Sequence, residues 1–512
     1  MVHFTLFSLP LTMLALGSFV VFCIYSICLV VYRLYLSPIA KFPGSKLAAA
    51  TGWYEFYYDY WLDGKYLFEI EKMHKKYGPI IRINPEELSI HDPNFYNEIY
   101  VTESKRRTNH YDVFCKGLDF DGSHILTEDH NLHKRRRKPL EPFFSRMGIS
   151  RLQSMLAEVA VHLESRLRQL EGKNEVIRLD HALSAFSTDI IGRMCLGHEG
   201  STEKLLDDVD FGSGWYDMLH MIVRSVPLFT GFPLLIRIAN CIPERILLRI
   251  SPQGQMFNMY KLKAQQHINK SLTDLSEKDR DPTSLFQHVA QSDMPLSERS
   301  PERLVKEAQI LLGAGSVTTS RVIVFASYYI LSRPEIRSQL EAELKDIMSA
   351  WPQVVPSWSE LEKLPYLQAI IKESLRLSYG IMHRLPRISP DVPIQYNGYI
   401  IPTGAPVGMS AYLMHSDSSV YPSPHLFIPN RWIGSIDPAM HRSFVPFSRG
   451  SRNCLGMNLA LSEMSLILAV LYRPNGPKME LYKTDESDVK QAHDFTIPLP
   501  RVDSKGVRVL IR

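Results

Sequence analysis

The ten residues FSRGSRNCLG, positions 447–456, constrain this chain more than any other stretch. A loop containing Gly450 leads to Cys454, and the apolar run 455–472, which predicts a helix, follows directly. A thiolate at a helix N-terminus is stabilised by the helix dipole and by free backbone N–H groups. Glycines on both sides of the cysteine leave room for a flat ligand to approach the backbone. This combination suits one anionic sulfur bound axially to a metal in a planar macrocycle, but a cysteine between glycines is unspecific when taken alone, and a purely structural cysteine is the alternative.

The loop resembles the haem-binding loop of the cytochrome P-450 superfamily, Phe-x-x-Gly-x-Arg-x-Cys-x-Gly, at every fixed position. The resemblance implies haem b as the cofactor, with Cys454 as the axial ligand of the iron. It also implies that Phe447 and Gly456 contribute to the cofactor site. A structural protein with zinc bound to Cys454 is the competing interpretation, but no second Cys or His lies within a few residues.

Two further motifs of the superfamily follow the same order along the chain. The stretch AIIKESLRLS places Glu373 and Arg376 on one helical face, and FIPNRW supplies Arg431 downstream. Taken alone, such a Glu/Arg pair is most often a solvated ion pair. The resemblance implies instead that the carboxylate and the two arginines lock the core behind the haem.

The segment HKRRRKPLEPFF is similar to the family helix whose Trp-x-x-x-Arg residues bind the haem propionates. On that register His133 takes the tryptophan position and Arg137 the arginine position. Imidazole can still donate a hydrogen bond to a carboxylate, although it packs less surface than indole. Arg137, Arg387 and Arg452 are the implied propionate clamps, because Arg binds carboxylates bidentately.

The other basic residues of this segment predict a docking surface. Without the resemblance, KRRRK would indicate a solvated face or a nuclear-localisation patch. We expect Lys134, Arg135, Arg136 and Lys138 to be exposed on the cysteine side of the haem. There they would steer an acidic electron-donor protein by long-range attraction.

Residues 301–331 predict one long helix, with Ser300 as the N-cap, Pro301 at the first position and Pro334 as the stop. Within it, LLGAGSVTTS places glycines and β-branched residues where helix propensity is low. A phosphate loop would need a lysine after the glycines and a strand–turn–helix unit, and neither is present.

This stretch resembles the family pattern Ala/Gly-Gly-x-Asp/Glu-Thr-Thr/Ser on the helix that crosses the distal face of the haem. The implied catalytic residues are Gly315, Ser316, Thr318 and Thr319. Gly315 would leave room for dioxygen, and Thr318 would hydrogen-bond to the oxygen or to a water beside it. Val317 stands where the family has a proton-delivering acid, and valine carries no protons.

Three explanations for Val317 stay open. Water held by Ser316, Thr318 and Thr319 is one source of protons. A substrate hydroxyl or a different acidic residue is the second. The third is an isomerisation, dehydration or peroxide-driven reaction that needs no such delivery.

The N-terminal 32 residues contain no Asp, Glu, Lys or Arg, and residues 11–32 are about long enough to span lipid as a helix. Positive charges come only afterwards, at Arg33, Lys41 and Lys46, which predicts a cytosolic body. A removed signal peptide and a buried core helix are the alternatives. We expect a single-pass anchor in the endoplasmic reticulum membrane over residues 1–33, a proline-containing linker over 34–50 and a haem-thiolate catalytic domain over 51–512.

The body predicts a single large fold, mainly α with small β-sheets, of the cytochrome P-450 type. Two β-rich runs occur at 80–90 and 394–410, the second with an Asn397-Gly398 hairpin turn. The net charge of +4 is too mild for a nucleic-acid partner, and six cysteines in 512 residues make no disulfide framework. Helical patterns cover 65–77, 150–170, 180–196, 251–272, 301–331, 335–349, 357–364, 366–378 and 455–472.

Several fragments look like the fungal membrane-bound branch of the superfamily, with trichodiene-type oxygenases as a near comparison. The resemblance implies a monooxygenase that hydroxylates or epoxidises a lipophilic terpenoid, polyketide or alkaloid intermediate of secondary metabolism. It would use O2 and electrons from a separate NADPH reductase carrying FAD and FMN, with cytochrome b5 as a further partner. A non-oxygenating rearrangement or dehydration and a non-catalytic haem sensor are the alternatives. The implied substrate pocket lies under residues 108–125, 211–232, 308–318, 379–385 and 495–499.

Overall fold

The computed structural model describes residues 8–111, 122–197, 204–232 and 284–512, with isolated positions between 241 and 269. It begins with an apolar helix, Ser8–Val31, which continues through a π-helical turn, Tyr32–Leu36. The stretch Thr12–Leu36 has a mean hydropathy of 2.6, and none of it is buried against the rest of the chain. This anchor helix is therefore the candidate membrane anchor, because an apolar helix of this length is stable in lipid without protein neighbours.

The residues after the anchor helix pack against the body. Ile39 and Phe42 are buried in a hydrophobic cluster with strand residues of the first sheet. The guanidinium of Arg82 donates to the carbonyl of Arg33 over 2.6 Å. The stretch expected as a linker, residues 34–50, is thus a packed elbow.

Helices make up most of the body, and most predicted helices are confirmed within two residues. The predicted helix 150–170 is divided at Leu152. The one expected over 335–349 ends at Leu344, although neither glycine nor proline marks that end, and the one expected over 357–364 ends at Leu361. The helix expected over 251–272 lies outside the described stretches. The helices are Lys46–Ala50, Trp53–Phe56, Tyr66–Tyr77, Tyr96–Ile99, His130–Arg137, Glu141–Phe144, Arg146–Arg151, Gln153–Arg168, Leu179–Leu196, Ser213–Gly231, Leu285–Gln291, Pro301–Ser332, Pro334–Leu344, Trp358–Leu361, Pro365–Ser378, Ala411–His415, Pro438–Ser443 and Met457–Tyr472.

Short strands form small sheets beside the helices. The sheet of five strands has the order Ile80–Arg82, Leu88–Ile90, Pro406–Gly408, Arg387–Ile388, Asn109–His110. A second sheet joins Ile177–Arg178, Arg508–Ile511 and Met479–Leu481, and two hairpins pair His493–Phe495 with Ile497–Leu499 and Ile394–Tyr396 with Tyr399–Ile401. The predicted turn is confirmed, since Asn397 and Gly398 both have positive φ.

The helix Pro301–Ser332, here called the central helix, runs through the core. The Ser300 side chain accepts a hydrogen bond from the Arg303 backbone N–H, as expected of its cap. The helix packs against Leu179–Leu196, Pro365–Ser378 and Met457–Tyr472, and most of its apolar length is buried. It is therefore a core helix, although it is long and apolar enough to cross a membrane.

Candidate active site

The cysteine loop, residues 447–456, presents its sulfur to an open space. The Cys454 backbone N–H donates to the Phe447 carbonyl over 2.9 Å, and the following helix begins at Met457 with Gly456 as its N-cap. The Cys454 side chain is exposed, and a Cβ built on Gly456 would meet no atom within 4 Å. Space for a ligand therefore lies next to both residues.

Gly450 has a different role from the one expected. Its φ is +76°, and a Cβ there would lie 2.3 Å from the Val101 carbonyl oxygen. This glycine allows a tight turn to pack on a neighbouring backbone, so its contact is with protein and not with a flat ligand.

Opposing effects act on the pKa of the Cys454 thiol, which lines the open space but is surrounded by protein atoms. Desolvation raises this pKa, whereas the Gly456 N–H and the Arg137 charge lower it. A metal ion bound to this sulfur would favour the thiolate, because a coordinating thiol is deprotonated outright.

Arg137 holds the cysteine loop. Its Nη1 and Nη2 donate to the Asn453 carbonyl and side-chain oxygen over 2.6 and 2.9 Å, and its Nε donates to Glu141 over 3.0 Å. Three of its five N–H donors are thus used by protein. The structure gives this residue a loop-holding role that the sequence did not indicate.

The predicted group of Glu373, Arg376 and Arg431 is brought together in the core. Glu373 Oε1 accepts from Arg376 Nη2 at 2.7 Å and from Arg431 Nε at 3.0 Å, and the Glu373–Arg376 pair is fully buried. The Trp432 indole N–H also donates to Glu373, over 2.8 Å. Arg376 further donates to the His415 carbonyl, and His415 accepts from the Val445 N–H at the entry to the cysteine loop. The group therefore braces the chain behind the loop.

A cluster of cationic side chains lies beside the cysteine loop. Arg452 donates to the Thr127 and Glu128 carbonyls, and burial together with the guanidiniums of Arg387 and Arg137 lowers its pKa to about 9. Arg387 donates through Nη1 to His110 Nδ1 over 3.3 Å. The pKa of His110 is held well below its usual range, first by burial and then by Arg387 and Arg452.

His133 carries an unpartnered nitrogen into the same region. Its Nδ1 donates to the His124 carbonyl over 2.8 Å, while Nε2 is buried without a hydrogen-bond partner among the described residues. A buried polar atom without a partner is costly, and so are buried like charges. A ligand with carboxylates would relieve both, and the two propionates of a haem fit this requirement. His110 belongs to the set although the sequence analysis did not name it.

The middle of the central helix has one open side. The Thr318 hydroxyl donates to the Ala314 carbonyl over 2.9 Å. Ala314 is exposed and Thr318 is partly exposed. Val317, which precedes Thr318, and Thr319, which follows it, are both buried. Of the predicted catalytic residues, Gly315 and Thr318 are partly exposed, and Thr318 is the one of these two that carries a hydroxyl.

Two predicted residues of this stretch pack against the protein. A Cβ on Gly315 would lie 2.9 Å from Ile191 Cγ1, so this glycine allows close packing between two helices, and its role toward dioxygen stays a prediction. The Ser316 hydroxyl is fully buried and donates to the Leu312 carbonyl over 2.6 Å. Ser316 and the buried Thr319 thus do not face the open side, and the expected water there is left to Thr318.

The sequence analysis missed a buried ion cluster on the central helix. Glu307 accepts from the His124 Nδ1 at 2.5 Å, from the His124 backbone N–H at 3.1 Å and from Arg303 Nη2 at 2.5 Å. Arg303 and Glu307 are four residues apart on one helix, which is a local signal. His124 lies 183 residues from Glu307, and no local pattern predicts that contact.

The predicted docking surface is only partly formed. Lys134, Arg135 and Lys138 are exposed. Arg136 instead turns inward, donating to Glu298 over 2.7 Å and to the Thr127 hydroxyl over 2.8 Å. The exposed basic surface thus consists of three of the four expected residues.

A cavity of about 560 Å³ lies beside the end of the anchor helix. Four of the five predicted pocket segments reach it, and the segment 308–318 does not. The sequence analysis missed the contribution of Trp53 and Phe56. One wall is ionic, since Arg384 donates to Glu55 and, over 2.9 Å, to Glu87. The predicted segments contribute Tyr111, Val226, Phe232, Arg384 and Phe495, among others.

The zinc interpretation of Cys454 has no support within the described ranges. They contain no group of three or more His, Cys, Asp or Glu residues that could hold a metal ion. A single sulfur facing open space suits one axial bond to a metal that a macrocycle already holds.

Comparison with known proteins points the same way. The family model for cytochrome P-450 matches residues 49–473. The chain is 50% identical over 498 residues to the cytochrome P-450 monooxygenase oblB of Aspergillus clavatus, covering 95% of both chains. It is also 50% identical over 498 residues to the fusicoccadiene C-8 hydroxylase of Alternaria brassicicola, covering 95% of this chain and 94% of that one. Identity to the stellatic acid synthase of Emericella variicolor is 43% over 518 residues, covering 96% and 94%.

Proposed function

This chain belongs to the cytochrome P-450 family of haem-b monooxygenases, and on that premise we propose what its own residues do. Cys454 binds the haem iron, with Phe447 and Gly456 beside the ring. His133, Arg387, Arg452 and His110 bind the propionates. Arg137, which the resemblance implied as a third arginine clamp, is assigned to the cysteine loop because it donates to Asn453. The observation that carries this assignment is the buried cationic cluster with an unpartnered imidazole nitrogen, next to a cysteine that faces open space.

The remaining core residues hold this arrangement in place. Arg137 fastens the cysteine loop to the helix that carries His133, and the Glu373 group braces the chain behind it. When bound, the haem supplies the activation of O2, with electrons delivered by a reductase. Thr318 lies on the open side of the central helix, where its hydroxyl can hold a water and pass a proton through Oγ1. Val317 is packed in the hydrophobic core and takes no part in this exchange.

We propose a neutral, lipophilic terpenoid-type substrate that is hydroxylated or epoxidised. Relatives named as a fusicoccadiene C-8 hydroxylase and a stellatic acid synthase support oxidation of such compounds.

The anchor helix would keep the enzyme at the endoplasmic reticulum membrane. Arg33, Lys41 and Lys46 follow the apolar stretch, which favours a cytosolic body. We keep residues 1–33 as the anchor, 34–50 as the elbow and 51–512 as the catalytic domain. The electron donor in this arrangement is a membrane-bound NADPH reductase with FAD and FMN, and cytochrome b5 is a second candidate.

The first experiment is the absorption spectrum of the reduced, CO-bound, full-length protein. A Soret band of thiolate-ligated haem is expected, and Cys454→Ser should abolish it while Cys241→Ser, at an exposed cysteine elsewhere, should retain it. A thiolate band that persists in Cys454→Ser would show that another cysteine binds the iron.

The second experiment identifies the reaction. Purified enzyme with reductase and NADPH is incubated with a panel of terpenoid hydrocarbons, polyketides and alkaloids, and products are identified by mass spectrometry. The proposal expects products in which a terpenoid hydrocarbon has gained one oxygen atom that comes from O2. Products from only the polyketide or alkaloid members would contradict the proposed substrate class.

A further inference from the structure

We propose that His133 takes up a proton when haem binds, so that the holoenzyme contains a His133 imidazolium paired with a haem propionate. The inference rests on the haem-side placement of His133 proposed above. It adds that one proton must be taken up when haem binds. The placement alone does not require this, because a neutral hydrogen-bond donor, such as the tryptophan found in the family at this position, needs no extra proton.

The hydrogen bond of the other ring nitrogen sets this requirement. His133 Nδ1 lies 2.8 Å from the His124 carbonyl oxygen, and a carbonyl only accepts, so Nδ1 carries the proton of the neutral ring. Nε2 then has a bare lone pair, and it is buried without a hydrogen-bond partner in the described part of the chain. An ionised propionate also only accepts hydrogen bonds. The two can pair only if Nε2 gains a proton.

The accepting carbonyl is itself held in place. Glu307 receives the backbone N–H of His124 over 3.1 Å and its Nδ1 over 2.5 Å, and Arg303 pairs with the same carboxylate. His124 is thereby fastened to the central helix. This cluster holds the His124 carbonyl in place and so fixes Nδ1 as the donating nitrogen of neutral His133. Glu307 and Arg303 are therefore positioning residues for the contact between His133 Nε2 and a haem propionate.

The charges around His133 determine the direction of the effect. The groups that face it are Arg452 on the cysteine loop, Arg137 on its own helix, His124 before that helix and His110 on a strand. Burial first, and then Arg452, lower the pKa of His133 to about 3 in the protein without haem. A propionate against Nε2 raises this pKa.

Proton uptake by His133 makes haem affinity depend on pH in a definite direction. Between the lower pKa without haem and the higher pKa with haem, binding takes up a proton, so haem affinity falls by up to about tenfold per pH unit as pH rises. Above the higher pKa the contribution is lost and the affinity stops changing. A neutral residue at position 133 gives no such dependence.

The test measures haem transfer from the full-length ferric holoenzyme to excess apomyoglobin between about pH 6 and pH 9, a range in which an imidazolium paired with a carboxylate titrates. Wild type is compared with His133→Gln, His133→Trp and His133→Arg. His130→Gln is the matched control, because His130 lies one turn earlier on the same helix and its Nε2 faces Glu103 at 3.7 Å. Protonation of Cys454 affects all variants alike, so the ratio of rates at each pH isolates His133.

We expect His133→Gln and His133→Trp to release haem about tenfold faster than wild type near pH 6 and to approach the wild-type rate as pH rises. His130→Gln should follow wild type. A rate ratio that does not change with pH would overturn the proton uptake while leaving His133 beside the haem. Equal rates in wild type and His133→Gln at every pH would overturn the placement itself.

His133→Arg covers the case in which neutral variants lose haem during purification. Its fixed positive charge should retain haem with no pH-dependent contribution from this position. Retention by the arginine variant alone supports the proposal, since it shows that the site needs a cation. Loss of haem in all three variants would show that the imidazole itself is required, and this would contradict the proposal.

Discussion

Two glycines on the central helix, Gly313 and Gly315, should respond in opposite ways to replacement by alanine. A Cβ on Gly313 would lie 3.7 Å from Leu219 Cδ2, which is an ordinary van der Waals contact. A Cβ on Gly315 would lie 2.9 Å from Ile191 Cγ1, which is closer than two carbons approach without movement. Comparing the two alanine variants therefore separates the effect of helix propensity on stability from the effect of side-chain packing.

Both substitutions gain the same helix propensity, about 1 kcal/mol for alanine over glycine in a helix interior. Overpacking a core costs about 1–3 kcal/mol, and only Gly315→Ala carries this cost. Gly313→Ala should therefore raise the free energy of unfolding by about 1 kcal/mol, and Gly315→Ala should lie about 1–3 kcal/mol below it. Ile191→Ala removes Cγ1 and Cγ2 and leaves Cβ, which would lie 3.0 Å from the new methyl group. It should therefore make Gly315→Ala less costly without removing the whole cost, with a coupling energy of about 0.5–3 kcal/mol.

The free energy of unfolding is measured by urea titration of the haem-loaded full-length protein, followed by the Soret band and by tryptophan fluorescence. The four proteins of the cycle are wild type, Gly315→Ala, Ile191→Ala and the double variant. If Gly315→Ala is as stable as Gly313→Ala, or Ile191→Ala costs the same in both backgrounds, the packing explanation is refuted. Normal stability with altered oxygen binding would instead support the prediction that Gly315 makes room for dioxygen.

Three further outcomes test the site. Thr318→Ala should increase the release of peroxide and lower the amount of product formed per NADPH consumed. Thr319→Ala, at a buried position of the same helix, should leave both quantities unchanged. The reverse pattern would remove Thr318 from the proton route. Glu373→Gln leaves buried arginines without their carboxylate, so we expect a loss of about 3–5 kcal/mol, seen as little haem-loaded soluble protein. Arg135→Glu and Lys138→Glu should slow reduction by the reductase and flatten its salt dependence, measured by stopped-flow absorbance, and an unchanged rate at low salt would exclude this surface.

Local sequence signals were sufficient for the long elements. Ser300, Pro301 and Pro334 act within one turn of the residues they influence, so the bounds of the central helix follow from them. The cysteine loop was recognisable for the same reason, since its fixed residues lie within ten positions. Where no local signal exists, as at Leu344, the helix end was misplaced.

The side-chain environments were less predictable, because they depend on residues far apart in the chain. The packing of Gly315 against Ile191 joins two helices that lie far apart in the chain, and no local pattern in the sequence indicates it. The contact of Glu307 with His124 joins the central helix to the loop before His133, and it has no counterpart in any short motif. The thiol of Cys454 shows a third limit, since a helix terminus is visible in sequence but the depth of burial that opposes it is not.

The proposed propionate site links haem binding to folding of this chain. Burial lowers the pKa values of Arg387, Arg452, His110 and His133, so grouping these side chains has a cost that ligand carboxylates would offset. Two propionates remove this cost in the folded protein alone, so haem stabilises the native state beyond its contacts with the ring. Removing one of these charges should then ease folding without haem while weakening retention of haem. The cationic cluster thus trades stability of the empty protein for tight cofactor binding.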